Sequence, residues 1–195
     1  DGESNVGNVF VYRGSAGGLS STPDDTLDNP QAQASARFGY SVASADVNGD
    51  GFADVIVGAL AQDNGATNEG AAFVFHGSAG GLPATPDTTL DNPDNETNAF
   101  FGAAVSSAGD LNGDGFSDVV VGAYGRQAGD GGAFLYLGSP AGIGEQPSAT
   151  LDPPGGAVGT SFGVAVTTAG DTGGAGYVDL LVGARGDEAK SPGGT

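Results

Sequence analysis

The sequence predicts an all-β fold made of β-propeller blades, each a sheet of four antiparallel strands, with three blades per chain. Two observations carry this prediction. A unit of about 60 residues recurs along nearly the whole chain, and the apolar segments inside it are short, rich in Val, Phe and Tyr, and bounded by Gly, Asn, Asp and Pro. No segment has the length and period of an amphipathic helix. A repeated four-stranded sheet hides its faces against its neighbours around an axis; a solenoid of stacked repeats is the weaker alternative.

The repeat is read from matched landmarks. Phe38-Gly39 returns as Phe101-Gly102 and Phe162-Gly163, Val57-Gly58-Ala59 as Val121-Gly122-Ala123 and Val182-Gly183-Ala184, and Thr26-Leu27-Asp28 as Thr89-Leu90-Asp91 and Thr150-Leu151-Asp152. Residues 1–37 open inside a unit: 7–12 match a third strand, and a fourth follows near Leu27. Residues 38–100 form a whole blade. Residues 101–161 form another, with strands expected at 101–106, 118–122, 133–137 and 149–151. Residues 162–195 hold strands one and two, the second at 178–184. The twelve strands make two whole blades and one split between the ends. Phe38, Phe101 and Phe162 are assigned to packing between blades.

Closed propellers have about four to eight blades, so three do not close a ring. Two completions are open: another copy supplies the missing half-blade, two copies giving six blades, or the chain belongs to a longer parent. Self-assembly is favoured, because a bare fragment exposes apolar faces and strand edges. With Asp first and no Met, the chain reads as a mature product or an excised piece.

Composition excludes several classes of function. The 24 Asp and Glu outnumber the 5 Lys and Arg, a net charge of −19, whereas nucleic acid and anionic lipid require clustered basic residues. No apolar run reaches the roughly 18 residues of a membrane span. Cysteine is absent, which removes disulfides, thiolate metal sites and a cysteine nucleophile.

The acid is concentrated where a metal would use it. Between strands one and two lie Asp46-Val47-Asn48-Gly49-Asp50-Gly51-Phe52-Ala53-Asp54 and Asp110-Leu111-Asn112-Gly113-Asp114-Gly115-Phe116-Ser117-Asp118. Both read D-x-N-x-D-G-x-x-D. Calcium takes six to eight oxygens, and alternate residues of a tight loop aim theirs at one centre. Asp46, Asn48, Asp50, Asp54 and the Phe52 carbonyl make one expected site; Asp110, Asn112, Asp114, Asp118 and the Phe116 carbonyl make the second. Magnesium fits less well, being small and slow to shed water. An EF-hand needs flanking helices and a Glu at loop position twelve, where Val57 and Val121 stand. Plain Asx turns without an ion are the competing reading. The third loop keeps Asp171 and Asp179 but has Gly173 and Ala175 at the inner positions; it is expected weak or empty, its aspartates capping the turn.

Phe-Gly, the acidic loop and Asp-Val-x-Val-Gly-Ala together resemble the FG-GAP repeat of integrin alpha-subunit β-propellers and their bacterial relatives. The resemblance implies calcium in the loops joining strands one and two, ligand contacts on the opposite face, and an extracellular adhesion or recognition module that binds protein or glycan. The integrin-type ring has seven blades, against three here. A lectin and a purely structural repeat of a larger surface protein remain alternative readings.

Other signals carry less. Gly159-Thr160-Ser161-Phe162-Gly163 fits G-x-S-x-G, but that motif needs a following helix and a histidine partner. The single histidine, His76, sits at a strand end and is read as solvent-facing. The conspicuous carboxylates are assigned to calcium, so no catalytic site is assigned. Arg185-Gly186-Asp187 falls in a variable loop and is read as coincidental, and Asn95-Glu96-Thr97 is a glycosylation sequon in form. The loops at 60–70, 124–131, 29–36 and 92–99 are polar and vary in length, which suits recognition on a rigid scaffold. Tyr124 and Arg126 are the expected anchors among them.

Overall fold

A computed structural model describes residues 6–186. Strand β1 (Asn8–Val11) pairs with β4 (Asp25–Asp28), and a short ribbon of β2 (Gly14–Ser15) and β3 (Gly18–Leu19) lies in the connection. A four-stranded sheet follows in sequence order: β5 (Phe38–Ala45), β6 (Asp54–Ala59), β7 (Ala71–Phe75) and β8 (Thr88–Asp91). The second such sheet is β9 (Phe101–Gly109), β10 (Asp118–Ala123), β11 (Ala133–Tyr136) and β12 (Ala149–Leu151). Last come β13 (Ala165–Gly170) and β14 (Asp179–Gly183), paired with each other. All pairings within these sheets are antiparallel. The fold is all-β and its sheets are propeller blades.

The sequence reading omits the β2–β3 ribbon and stops the strand at Phe101 short of Gly109. It also allows no helix, whereas Arg126–Gly129 makes one helical turn. Gln127 and Ala128 have φ of 51° and 58° there, so the turn reverses the chain and does not propagate.

The innermost strands run side by side, with β9 against both β5 and β13. Each junction between sheets has its own apolar cluster. Phe38, Val57 and Phe73 pack with Leu27 of the first sheet; Phe101, Val105 and Phe134 pack with Ile56 and Val74; Phe162 packs with Val120 and Ala133. The expected packing role of the three Phe residues is what the structure has. Phe38 meets Phe73 at 5.6 Å and 55° between ring planes, and Phe75 at 6.3 Å and 81°. Phe101 repeats this with Phe134 at 5.5 Å and 55° and Tyr136 at 6.4 Å and 82°. Such tilted and edge-on pairs add about 0.5–1.5 kcal/mol each beyond burial.

The glycines after these Phe residues dock one blade on the next. Gly102 has φ of 80°, and a Cβ there would lie 2.3 Å from the Ala71 carbonyl oxygen. A Cβ on Gly58 would lie 2.0 Å from the Gly102 carbonyl oxygen, and one on Gly122 2.0 Å from that of Gly163. Phe-Gly on one sheet and Val-Gly-Ala on its neighbour are therefore two sides of one backbone contact, in which neither tolerates a side chain.

Candidate metal centres

Both complete acidic loops join the innermost strand of a sheet to the second, β5 to β6 and β9 to β10. The turn is built from carboxylates accepting backbone N–H groups. In the first loop the N–H of Gly49 donates to Asp46 Oδ1 at 2.8 Å and that of Gly51 to Asp46 Oδ2 at 3.0 Å. Asp50 donates its N–H to Asn48 Oδ1 at 3.0 Å and accepts from Phe52 N–H at 2.8 Å. The second loop repeats this: Gly113 and Gly115 donate to Asp110 at 2.7 and 2.8 Å, and Phe116 N–H donates to Asp114 at 3.0 Å. Positive φ at Gly49 and Gly51 (72° and 87°) and at Gly113 and Gly115 (76° and 94°) makes the bends possible.

The last aspartate of each loop is buried. Asp54 accepts the N–H of Val47 at 2.8 Å and of Gly77 at 2.9 Å; Asp118 accepts those of Leu111 and Gly138 at 2.9 Å each. Burial pushes both carboxyls above the usual carboxylate range against these hydrogen bonds, and the neighbouring charges of Asp50 on Asp54, and of Asp114 and Asp110 on Asp118, add to the rise.

The donors are three carboxylates, one amide oxygen and one carbonyl per loop, with no cationic side chain among the nine residues. That chemistry fits a hard, oxygen-seeking cation. Among the described residues the carboxylates turn to loop N–H groups, and no three Asp, Glu, His or Cys side chains converge on a common point.

The third loop has the same backbone. Gly174 and Gly176 take φ of 70° and 86°, Gly176 N–H donates to Asp171 Oδ2 at 2.7 Å, and Thr172 N–H donates to Asp179 Oδ2 at 2.8 Å. Here both carboxyls lie below the usual range, Asp171 chiefly through the Gly176 N–H and Asp179 chiefly through the Thr172 hydroxyl.

Aromatic side chains link the loops, which sequence reasoning missed. The Phe116 ring covers Gly49, whose added Cβ would lie 2.7 Å from it, and the Tyr177 ring covers Gly113 at 3.1 Å. The N–H of Ser117 also donates to the Asp46 carbonyl at 3.0 Å. Aromatic residues at the same loop position in successive repeats were the available signal.

At the other ends of the strands, the loops after the second and fourth strands meet. Gln62 is buried and its Oε1 accepts from Asn29 Nδ2 at 3.0 Å. Arg126, expected as a ligand anchor, is buried instead: its guanidinium pairs with Asp94 and Asp152 and lies 5.5 Å over the Phe134 ring. A desolvated guanidinium is held where it is paired. Tyr124 stacks on Phe100 at 5.1 Å. His76, expected to face solvent, is mostly covered and packs against Gly142 of the next sheet. Ser161 is followed by β13 and shares its left-handed backbone with Arg37 and Phe100, so no nucleophile elbow forms. Asp187 of the Arg185-Gly186-Asp187 sequence lies outside the described residues. Among the described residues no helix is long and apolar enough to cross a membrane.

The description FG-GAP repeat matches residues 38–75 and 101–137, which span three strands of each four-stranded sheet. Integrin alpha-PS5 of Drosophila melanogaster is 39% identical over 157 residues, covering 78% of this chain and 15% of that protein. Integrin alpha-IIb of Mus musculus is 38% identical over 160 residues, 79% and 15% respectively. Integrin alpha-7 of Rattus norvegicus is 41% identical over 155 residues, 78% and 13%. The chain thus spans about one seventh of the length of these relatives. It carries two FG-GAP repeats and is an integrin-alpha-like β-propeller domain.

Proposed function

We propose that this chain is a calcium-stabilised propeller module of extracellular adhesion or recognition, secreted or held at a cell surface, with no catalytic step of its own. The observation that carries the metal assignment is the comparison of the three acidic loops. All three make the same turn with their outer aspartates and paired glycines, yet only two keep Asn and Asp at the inner positions. Those inner oxygens, dispensable for the turn, are the ones a cation needs. Asp46, Asn48, Asp50, Asp54 and the Phe52 carbonyl would hold one ion, and Asp110, Asn112, Asp114, Asp118 and the Phe116 carbonyl a second; Asp171 and Asp179 alone make a weak site or none. Bound calcium supplies positive charge against carboxylates that otherwise repel.

The ligand, protein or glycan, would meet the loops at the end of the sheets opposite the acidic ones. Because Arg126 is engaged within the protein, the exposed polar residues around it are the contact candidates. The ring is completed from outside these three blades, by another copy or by further chain. Calorimetric titration of calcium into chelator-treated protein tests the metal reading: two sites are expected at about 10⁻⁴–10⁻³ M, the range of extracellular modules, and no uptake refutes it. A glycan array beside a protein-ligand screen then separates a lectin from a protein-binding module.

A further inference from the structure

We propose that Asn64 is a self-modification site, where attack by the Gly65 backbone nitrogen replaces the side-chain amide with an acid and so loosens the joint between the two four-stranded sheets. The reaction is separate from the adhesion reading and needs no ligand, metal or enzyme. The Gly65 nitrogen, on giving its proton to solvent base, bonds to Asn64 Cγ; the Cγ–Nδ2 bond breaks and Nδ2 leaves as ammonia. The five-membered imide then takes up one water, and opening of either of its C–N bonds gives aspartate or the β-linked isomer. A following glycine favours the attack because it has no Cβ in the way.

What decides the rate is whether the attacking N–H is free. An N–H that donates to a carboxylate is held in place, and the negative oxygen opposes turning that nitrogen into an anion. Six Asn-Gly or Asp-Gly junctions lie within the described residues, at 48, 50, 64, 112, 114 and 130. In five of them the glycine N–H is engaged. Gly49 and Gly113 donate to the Oδ1 atoms of Asp46 and Asp110 at 2.8 and 2.7 Å, Gly51 and Gly115 to the Oδ2 atoms of the same residues at 3.0 and 2.8 Å, and Gly131 to the Arg126 carbonyl at 2.9 Å. Gly65 is the exception. It is exposed, and among the described residues its N–H meets no acceptor. The side-chain amides do not separate the three asparagines, since Nδ2 of Asn48, Asn112 and Asn64 each donates to an aspartate, Asp50, Asp114 and Asp91 respectively. Asp46 and Asp110 thereby also keep Asn48 and Asn112 as amides.

The position of Asn64 gives the reaction a consequence. Its N–H donates to the buried Glu69 at 2.6 Å, and its Nδ2 ties the loop to Asp91 at the end of β8. From the same loop the carbonyls of Thr67, Asn68 and Glu69 accept the N–H groups of Asn98, Phe100 and Phe101 at 2.8, 3.2 and 2.8 Å, where β9 of the next sheet begins. Aspartate at 64 turns the tether to Asp91 into a contact between like charges, and the β-linked isomer also adds one carbon to the backbone.

Peptide mapping by mass spectrometry tests the site. The chain is incubated in mildly alkaline buffer, once in chelator and once with calcium, its sheet-type far-ultraviolet spectrum showing that it stays folded, and a third sample is incubated in urea. Conversion to acid is expected at least tenfold faster at Asn64 than at Asn48 or Asn112 in both folded samples, a ratio that one hydrogen bond to a charged group is enough to produce. In urea the three rates are expected to fall within a few-fold of one another. Equal rates in the folded chain, or a slower rate at Asn64, overturn the proposal, and a tenfold preference that persists in urea overturns its structural cause. Asn64→Asp is expected to speed hydrogen exchange several-fold at the Asn98 and Phe100 amides; unchanged exchange overturns the loosening of the joint.

Discussion

The two complete acidic loops and the third differ at few positions, and the difference separates what bends a loop from what fills it. Residues 171–179 make the same turn as 46–54 and 110–118, with the first aspartate accepting loop N–H groups and positive φ at two glycines. They do so with Gly173 and Ala175 in place of Asn and Asp. Loop shape thus depends on the outer aspartates and glycines. The complete loops also differ in burial: Asp54 and Asp118 are enclosed, whereas Asp179 is partly open, because no further sheet stands over β14 among the described residues.

Removing calcium should break the comparison most sharply. Each filled site adds about 2.7 kcal/mol at 100 times its dissociation constant, so two add about 5 kcal/mol. At roughly 2–4 °C per kcal/mol for a chain of this size, chelation should lower the melting temperature by about 10–20 °C. An unchanged melt in chelator would remove the distinction between the loops.

Next in size is the loss of a buried outer aspartate. Asp54→Ala or Asp118→Ala strands two backbone donors each, Val47 and Gly77 or Leu111 and Gly138, and should cost about 2–4 kcal/mol even in chelator. Asp179→Ala should cost clearly less, since its site is open to water. Equal denaturation midpoints for the three variants would show that burial does not divide the loops.

The inner positions should behave in the opposite way. Asp50→Ala and Asp114→Ala should each remove one calcium from the titration and about 2.7 kcal/mol of calcium-dependent stability at 100 times the dissociation constant, with little effect in chelator. Ala175→Asp should strengthen uptake by the third loop. Unaltered stoichiometry in all three variants would sink the assignment of the inner oxygens.

The smallest effect is in the titration of the carboxyls in chelator. Asp54 and Asp118 lie above the usual carboxylate range through burial, so the folded state favours their protonated forms. Charging them costs stability as pH rises from the ordinary carboxylate value through their raised values. Asp171 and Asp179 lie below the range through the Gly176 N–H and the Thr172 hydroxyl. Their stabilisation is present above the ordinary value and is lost as pH falls through their lowered values. Carbon-13 carboxyl shifts should therefore show Asp54 and Asp118 titrating at higher pH than Asp171 and Asp179; the reverse order would contradict the burial argument.

Much of the blade was legible because its signals are local. Strands appear where short apolar segments lie between turn residues, and the Phe-Gly landmarks mark the start of the innermost strand, as at Phe38 and Phe101. The acidic loops were legible for the same reason, the hydrogen bonds that shape their turns closing within about eight residues, as from Val47 to Asp54, whereas the Gly77 and Gly138 donors to Asp54 and Asp118 come from 23 and 20 residues away. What was missed depends on residues distant in sequence. Arg126 looked like a free anchor because Asp94 and Asp152, 32 and 26 residues away, are invisible to a local reading. His76 looked solvent-facing because Gly142, which it covers, belongs to the next sheet.

The sequence by itself determined the repeat, the strand order within a blade and the oxygen-rich turns, since backbone preference, hydrophobic alternation and side-chain-to-backbone hydrogen bonds act over a few residues. Only the tertiary structure decided why the glycines stand where they do, which charges are enclosed and which apolar faces stay open. Those outcomes depend on how closely one sheet approaches the next: 2.0 Å between a hypothetical Cβ at Gly122 and the carbonyl of Gly163 is a property of two sheets in contact.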